Sequence, residues 1–266
     1  PTRRSSDLRL DKTLKVLANS TSYGIYAEMN RQESDERILV ECHGIDPASY
    51  QCRVAHPEAP GAYCFPPLAT LITAAARLML ALLEHSVTSL GGTYAMEDTD
   101  SMAIVATKKG GLIQCPGGPH RLRNRKEAVH ALSWEQVWSI ANRFASLNPY
   151  DRRVVPGSIL KIEDDNFDPE TREQRGIWCA AISAKRYALF LLGPDGEPVL
   201  LKKGSNNGGD QWSEHGLGHL MNPTDPESGD RGWIAQVWLN IIRKSMGLPT
   251  KKRPFESVPA VGRVTV

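Results

Sequence analysis

Thr93-Tyr94-Ala95-Met96-Glu97-Asp98-Thr99-Asp100-Ser101-Met102-Ala103-Ile104-Val105 decides how this chain is read. Two apolar, strand-forming runs flank an acidic turn. Val105 and Ala106 lead out of it. A helical stretch ending at Gly91-Gly92 leads in, because paired glycines stop a helix and free the chain to turn. Asp98 and Asp100 stand two residues apart, so an extended backbone would send both carboxylates to one face and Thr99 to the other. Two carboxylates held among apolar residues are costly unless a cation neutralises them. Oxygen-only donors suit a hard cation such as Mg2+. The stretch therefore reads as half of a divalent-metal site at a hairpin tip. The competing reading is an Asp-x-Asp in a solvated turn that binds nothing. A calcium loop of the EF-hand kind fails, because Met102, Ile104 and Val105 stand where oxygen ligands are needed.

Composition bounds the rest. A chain of 266 residues suffices for one large domain or two small ones. Hydrophobic residues at 41% allow a packed core, and charged residues at 23% give an ordinary surface. A net charge of +2 is too small to demand a polyanionic partner. Local charge is more uneven. Residues 120–126 hold Arg121, Arg123, Arg125 and Lys126, and residues 243–253 hold Arg243, Lys244, Lys251, Lys252 and Arg253. Such clusters mark either a nucleic-acid track or a solvated face.

Cys42, Cys52, Cys64, Cys115 and Cys179 form no Cys-x-x-Cys pair and no zinc spacing with His43 or His56, so reduced thiols in a cytoplasmic protein are expected. No signal peptide is visible and no apolar run reaches membrane-spanning length. Residues 66–90 come closest but are interrupted by Arg77, Glu84 and His85, so no membrane partner is expected. The chain opens at Pro1 without an initiator Met and closes on the strand-like residues 261–266; both ends read as cuts through a longer protein.

Along the chain, residues 8–18 have helical spacing, with Leu10, Leu14, Leu17 and Ala18 on one face. Lys12, Lys15 and Asn19 recur at steps of three and four on the other. The polar break at residues 20–24 ends in Tyr23-Gly24. Lys, Asn and Tyr grouped at a helix end would suit a phosphorylated ligand; a solvated, capped helix is the competing reading. Residues 37–42 form a strand, and residues 42–66, with four prolines, an irregular connection. Pro66-Pro67 starts a helix to about Leu90, with Ala69, Ile72, Ala76, Leu80 and Leu83 as its apolar stripe. Residues 108–126 are Gly-, Pro- and Arg-rich and read as a loop. Residues 133–147 form an amphipathic helix with Ser133 as N-cap and Trp134, Val137, Ile140, Ala141 and Phe144 inward.

Residues 158–163 read as a strand, followed by a pair over 177–182 and 185–192, a turn at 193–196 and a strand over 199–203. Lys185 and Tyr187 share one strand face, where an ammonium and an aromatic ring would grip a nucleic-acid backbone or form an ordinary cross-strand pair. Residues 205–210 read as a polar loop. His215 and His219 read as structural or solvent-facing. Residues 232–246 are helical, with Trp233, Val237, Ile241 and Ile242 apolar.

Together these stretches resemble family B DNA polymerases. Lys15-Val16-Leu17-Ala18-Asn19-Ser20-Thr21-Ser22-Tyr23-Gly24 is similar to their Lys-x-x-x-Asn-Ser-x-Tyr-Gly motif, with one extra residue between Asn and Tyr. Residues 94–101 are similar to Tyr-Gly-Asp-Thr-Asp-Ser, with Glu97 in place of Gly and Tyr94 further upstream. Lys185-Arg186-Tyr187 matches their Lys-x-Tyr motif, and Lys161-x-Glu163 resembles the nearby strand that carries a further carboxylate.

The resemblance implies an α+β fold. An antiparallel palm sheet would pack on helices, with the last helix of the fingers at the N-terminus and the start of a helical thumb at the C-terminus. It divides the chain into nucleotide-binding fingers over 1–30, palm over 31–200 and partial thumb over 201–266. It implies two Mg2+ ions, with Mn2+ as a substitute, held by Asp98, Asp100 and Glu163. Lys15, Asn19, Tyr23 and Gly24 would bind the dNTP; Lys185, Arg186 and Tyr187 would bind primer–template DNA. The earlier palm motif of these enzymes, Asp followed by Ser-Leu-Tyr-Pro-Ser, has no counterpart, nor do the exonuclease motifs. The polypeptide alone is therefore expected to be inactive, needing the polymerase chain upstream. The implied setting is a cytoplasm, bacterial or that of a host cell carrying a virus or mobile element. Two rivals stand beside it: a non-catalytic DNA-binding palm-like module and a metal-dependent nuclease.

Overall fold

The computed structural model describes residues 5–22, 24–206, 209–259 and 261–262. The chain is α+β, with four α-helices and several small, mainly antiparallel sheets among the described residues. It divides into two compact units, residues 1–79 and 80–266.

In the first unit, α1 (Ser5–Ser22) outruns the apolar spacing that predicts it, continuing through Ser20, Thr21 and Ser22. The Ser20 hydroxyl donates to the Leu17 carbonyl at 2.8 Å, a back-bond that lets a polar residue stay helical. A single 3-10 turn (Ile25–Ala27) leads to β1 (Met29–Arg31), β2 (Ile38–Cys42), β3 (Tyr50–Val54) and β4 (Glu58–Pro60). β2 and β3 form a hairpin from Ile38↔Val54 to Cys42↔Tyr50, and β1 pairs with β4. Residues 42–66 are therefore not an irregular connection. Tyr50-Gln51-Cys52-Arg53-Val54 alternates in side-chain character, a period-two signal that the surrounding prolines outweigh in the sequence. Pro60 fits because it ends a two-stranded sheet, where its missing N–H costs nothing.

α2 (Pro66–Ser89) spans both units. It carries proline in its first turn and ends in a Schellman closure: the Gly91 N–H donates to Thr88 O at 2.8 Å and the Gly92 N–H to Val87 O at 3.0 Å, with Gly91 at φ 72°. Ala69, Ile72, Ala76 and Leu80 are half-buried and Leu83 and Val87 buried, which is the expected stripe. Arg77, Glu84 and His85 do not break the helix. By length and composition α2 is apolar enough to cross a membrane, with a mean hydropathy of 1.6, which corrects the expectation that no segment is.

The second unit continues with β5 (Tyr94–Asp98), β6 (Ser101–Ile104), β7 (Ala106–Thr107), β8 (Gly111–Gln114), β9 (His120–Arg121) and β10 (Glu127–Ser133). β5 and β6 form the expected hairpin. Residues 108–126 are not one loop. β8 and β9 lie within them and pair antiparallel to β10, while β7 pairs parallel to it. β10 leaves no legible trace in the sequence, because Ala-Val-His-Ala-Leu is short and lacks alternation; Ala128, Val129, Ala131 and Leu132 are all buried.

β10 runs into α3 (Trp134–Arg143) through a capping box. The Gln136 N–H donates to Ser133 Oγ at 3.2 Å and the Ser133 N–H to Gln136 Oε1 at 2.8 Å. Val137, Ile140, Ala141 and Phe144 face inward as expected. Residues 158–163 are irregular rather than a strand, since Leu160 N–H is taken by Ser158 Oγ at 3.0 Å instead of a neighbouring strand.

β11 (Trp178–Ser183), β12 (Arg186–Leu192) and β13 (Pro198–Leu200) make an antiparallel sheet that β16 (Glu214–His215) joins beside β12. β14 (Lys202–Asn206) and β15 (Gly209–Trp212) form a hairpin where residues 205–210 read as a loop. α4 (Gly232–Ser245) covers the sheet. Phe190, Leu200, Trp233, Trp238 and Ile242 fill the interface, with Trp238 and Ile242 fully buried. Each such side chain stabilises the unit by roughly 1.5–3 kcal/mol through removal of apolar area from water. Of the strand-like ending, Gly262 bridges to Leu220; residues 263–266 lie outside the described residues.

Candidate functional site

Asp98 closes β5 and Asp100 sits in the turn. The Asp100 N–H donates to Asp98 O at 2.7 Å across Thr99, whose φ is 58°. This is the rare positive-φ three-residue turn. The backbone at Thr99 is therefore not extended, which corrects the premise that put both carboxylates on one strand face. A tight turn sets their spacing instead. Ser101 Oγ also donates to Asp98 O at 3.0 Å, so one carbonyl gathers two donors at the tip.

The Asp98 carboxylate accepts from Thr99 Oγ1 at 3.0 Å and from Lys185 Nζ at 2.9 Å. Its side chain is 20% exposed, and Lys185 is 60% exposed. The Lys185 hydrogen bond foremost, then Thr99, hold the Asp98 carboxyl below the usual range against partial burial; the charges of Lys185 and His215 act in the same direction. Asp98 is thus firmly ionised. Asp100 is exposed.

Lys185 lies in the β11–β12 turn at φ 58°, not on a strand face with Tyr187. Tyr187 is half-buried on β12, and its ring stacks on His215 with centroids 5.8 Å apart and planes at 15°. Burial, then the charge of Asp98, push the Tyr187 hydroxyl above its ordinary value, so it remains a neutral donor. Arg186 is exposed, and the Gly216 backbone passes over it. A Cβ at Gly216 would sit 2.6 Å from both Arg186 Cγ and Lys185 O.

Asp98, Lys185, Tyr187 and His215 therefore form one cluster in the second unit. Sequence reasoning misses His215 as a member. Its strand is two residues long, and nothing in the spacing of His215 and His219 announces a partner. Glu214, beside it, accepts the Trp238 indole N–H at 3.2 Å, so α4 anchors the strand that carries His215. Tyr94 stands apart from this cluster. Its hydroxyl donates to Glu84 at 2.7 Å and ties β5 to the end of α2.

Glu163 is exposed, immediately before the 3-10 turn Asp164–Asn166, where its carbonyl accepts the Asn166 N–H. Lys161 pairs with Asp164 at 3.4 Å. In the first unit, Lys15 and Asn19 lie four apart on α1, both exposed, and so share a helix face. Gly24 caps the 3-10 turn that follows. Tyr23 lies outside the described residues.

The oxygen donors of Asp98 and Asp100 fit a hard divalent cation in kind. They fall short in number, since no group of three or more His, Cys, Asp or Glu residues is gathered for a metal among the described residues. Comparison with known proteins returns no matching family model, no matching curated protein and no matching solved structure.

Proposed function

We propose that this chain is the palm and adjoining part of a DNA-directed DNA polymerase of the family B kind. In this reading the β-sheets of the second unit contribute to a palm, α1 is the last helix of the fingers and α4 begins a thumb. The reaction joins a primer 3′ oxygen to the α-phosphorus of a dNTP and releases pyrophosphate. The observation that carries the reading is the ion pair between Lys185 and Asp98. These residues come from two separate polymerase-like motifs, and motif matches arising by chance have no reason to meet in space.

In this role Lys185 and Tyr187 hold the primer through phosphate and sugar contacts, which carry no sequence information. Asp98 and Asp100 would hold Mg2+ or Mn2+, with a further carboxylate from Glu163 or from the polymerase chain upstream. The bound ions would supply charge stabilisation at the attacking and leaving oxygens. By the resemblance of residues 15–24 alone, Lys15 would be assigned to the triphosphate and Asn19, Tyr23 and Gly24 to the nascent base pair. The setting is cytoplasmic, with primer–template DNA and dNTPs as partners.

The test uses the longer parent protein with labelled primer–template and Mg2+, with and without dNTPs. Product longer than the primer, lost in Asp98→Asn plus Asp100→Asn, supports the reading. Shorter product independent of dNTPs replaces it with a nuclease. Unchanged DNA, bound equally by parent and double variant, replaces it with a non-catalytic module.

A further inference from the structure

The turn joining β9 to β10 concentrates positive charge on a rigid support. Its residues are Leu122-Arg123-Asn124-Arg125-Lys126. The Leu122 N–H donates to Lys126 O at 2.9 Å, the Arg125 N–H to Leu122 O at 2.9 Å and the Lys126 N–H to Asn124 Oδ1 at 3.1 Å. Arg125 is held at φ 65°. The nearest acid in the hairpin is already engaged: Glu127 accepts the Gly117 N–H at 2.6 Å and pairs with Arg121 at 3.1 Å. Gly118 beneath it lies so close to β10 that a Cβ would stand 2.3 Å from Ala128 O. The base of the hairpin is therefore fixed and its one acid neutralised. Arg123, Arg125 and Lys126 are exposed and join no ion pair among the described residues.

We propose that this turn is a phosphate-backbone clamp for DNA, made of residues other than those of the Asp98 cluster and acting without regard to base sequence. The inference rests on the polymerase reading. Three cations in four residues match a polyanion whose strand repeats a charge every ~3.4 Å. Two of the three are arginines, whose planar forks bind phosphate oxygens in pairs. No aromatic residue stands in the turn to stack on bases, and its one apolar residue, Leu122, is half-buried, which disfavours insertion into lipid or an apolar protein groove. The preset backbone spares the ordering cost that a loose basic loop would meet on binding.

The experiment is fluorescence anisotropy of a labelled primer–template duplex with this chain, titrated between about 50 and 200 mM salt. Each phosphate contact contributes about 0.9 to the slope of log affinity against log salt. Arg123→Gln with Arg125→Gln and Lys126→Gln should lower that slope by ~2.7 and weaken low-salt binding at least ~10-fold. Arg125→Gly, which suits the positive φ, should lower it by about 0.9 with the fold undisturbed. An unchanged slope in both variants, with the wild-type chain still binding DNA, overturns the clamp and leaves the polymerase reading intact. Failure of the wild-type chain to bind duplex at low salt overturns the clamp and leaves the polymerase reading to the primer-extension test on the parent protein. Binding to phosphatidylserine vesicles that the triple variant loses, with the DNA slope unmoved, overturns the clamp in favour of a lipid surface.

Discussion

Thr99 and Lys185 occupy two hairpin tips with the same positive φ of 58°, and the Lys185 ammonium reaches across to the Asp98 carboxylate next to Thr99 at 2.9 Å. Side chains with a Cβ rarely adopt this backbone, at a cost of about 1–3 kcal/mol each. One strained residue, Lys185, forms the ion pair, and the other, Thr99, adjoins its partner Asp98. That concentration points to a site whose geometry is held against local preference, and it makes the pair the place to test.

Replacing Lys185 separates the charge from the strain. Lys185→Ala removes the ammonium and keeps the unfavourable φ; Lys185→Gly removes both. In either variant the Asp98 carboxyl should titrate closer to its ordinary value, read by NMR of the side-chain carbonyl. The lost ion pair should cost under about 1 kcal/mol, because Lys185 is largely exposed. The glycine variant should be more stable than the alanine variant by about 1–2 kcal/mol. Equal stabilities would show that the turn is unstrained.

Gly216→Ala tests the close approach of β16 to the β11–β12 turn. The residue sits at φ 99°, and a Cβ would meet the Lys185 carbonyl at 2.6 Å. The substitution should destabilise the second unit by about 1–3 kcal/mol. It should also disturb the Tyr187–His215 stack, visible as a change in the Tyr187 ring shifts. A variant with wild-type stability and spectrum would refute that contact.

Trp238 joins the core to the site. Fully buried, it donates to Glu214 on the strand carrying His215. Trp238→Ala should cost about 3–5 kcal/mol in chemical denaturation. Trp238→Phe keeps most of the apolar volume but leaves Glu214 without its indole donor, so it should cost less, about 1–3 kcal/mol. If the two variants are equally unstable, the hydrogen bond rather than the volume decides.

Acid should unfold the second unit in a direction that the carboxylates fix. Asp98 is held low by Lys185, Glu127 by the Gly117 N–H, Asp151 by Arg153 and Asp168 by the Thr171 and Glu170 N–H groups. Each has a folded pKa below its unfolded one, so the folded state binds fewer protons. Their stabilisation is complete above the ordinary carboxylate value of about 4 and is lost as pH falls through the folded values. The thermal midpoint should be flat from about pH 7 to 5 and drop below about 4, less steeply in Lys185→Ala. A midpoint that instead falls between pH 5 and 7 would contradict this assignment.

Local order is legible wherever one segment carries its own signal. The stripe of α2, the cap and inward face of α3, the Asp98 hairpin and the β11–β12 pair all follow from residues a few positions apart. β3 is hidden by the prolines around it, β8 lies in a Gly-, Pro- and Arg-rich stretch, and β10 lacks alternation; β8 and β10 gain their order by pairing with each other. The opposite failure occurs at residues 158–163, where an apolar pattern finds no strand to pair with because Ser158 satisfies the backbone locally.

The sequence by itself determined that Asp98, Lys185 and Tyr187 stand out and that their residue types suit cation and phosphate chemistry. Only the tertiary structure decided that Lys185 neutralises Asp98, that His215 joins them through Tyr187, and that Asp98 and Asp100 are related by a tight turn rather than a strand. The physical reason is range. Periodicity and capping are encoded within a few residues, whereas an ion pair between two hairpin tips exists only after sheets and helix have fixed where those tips lie.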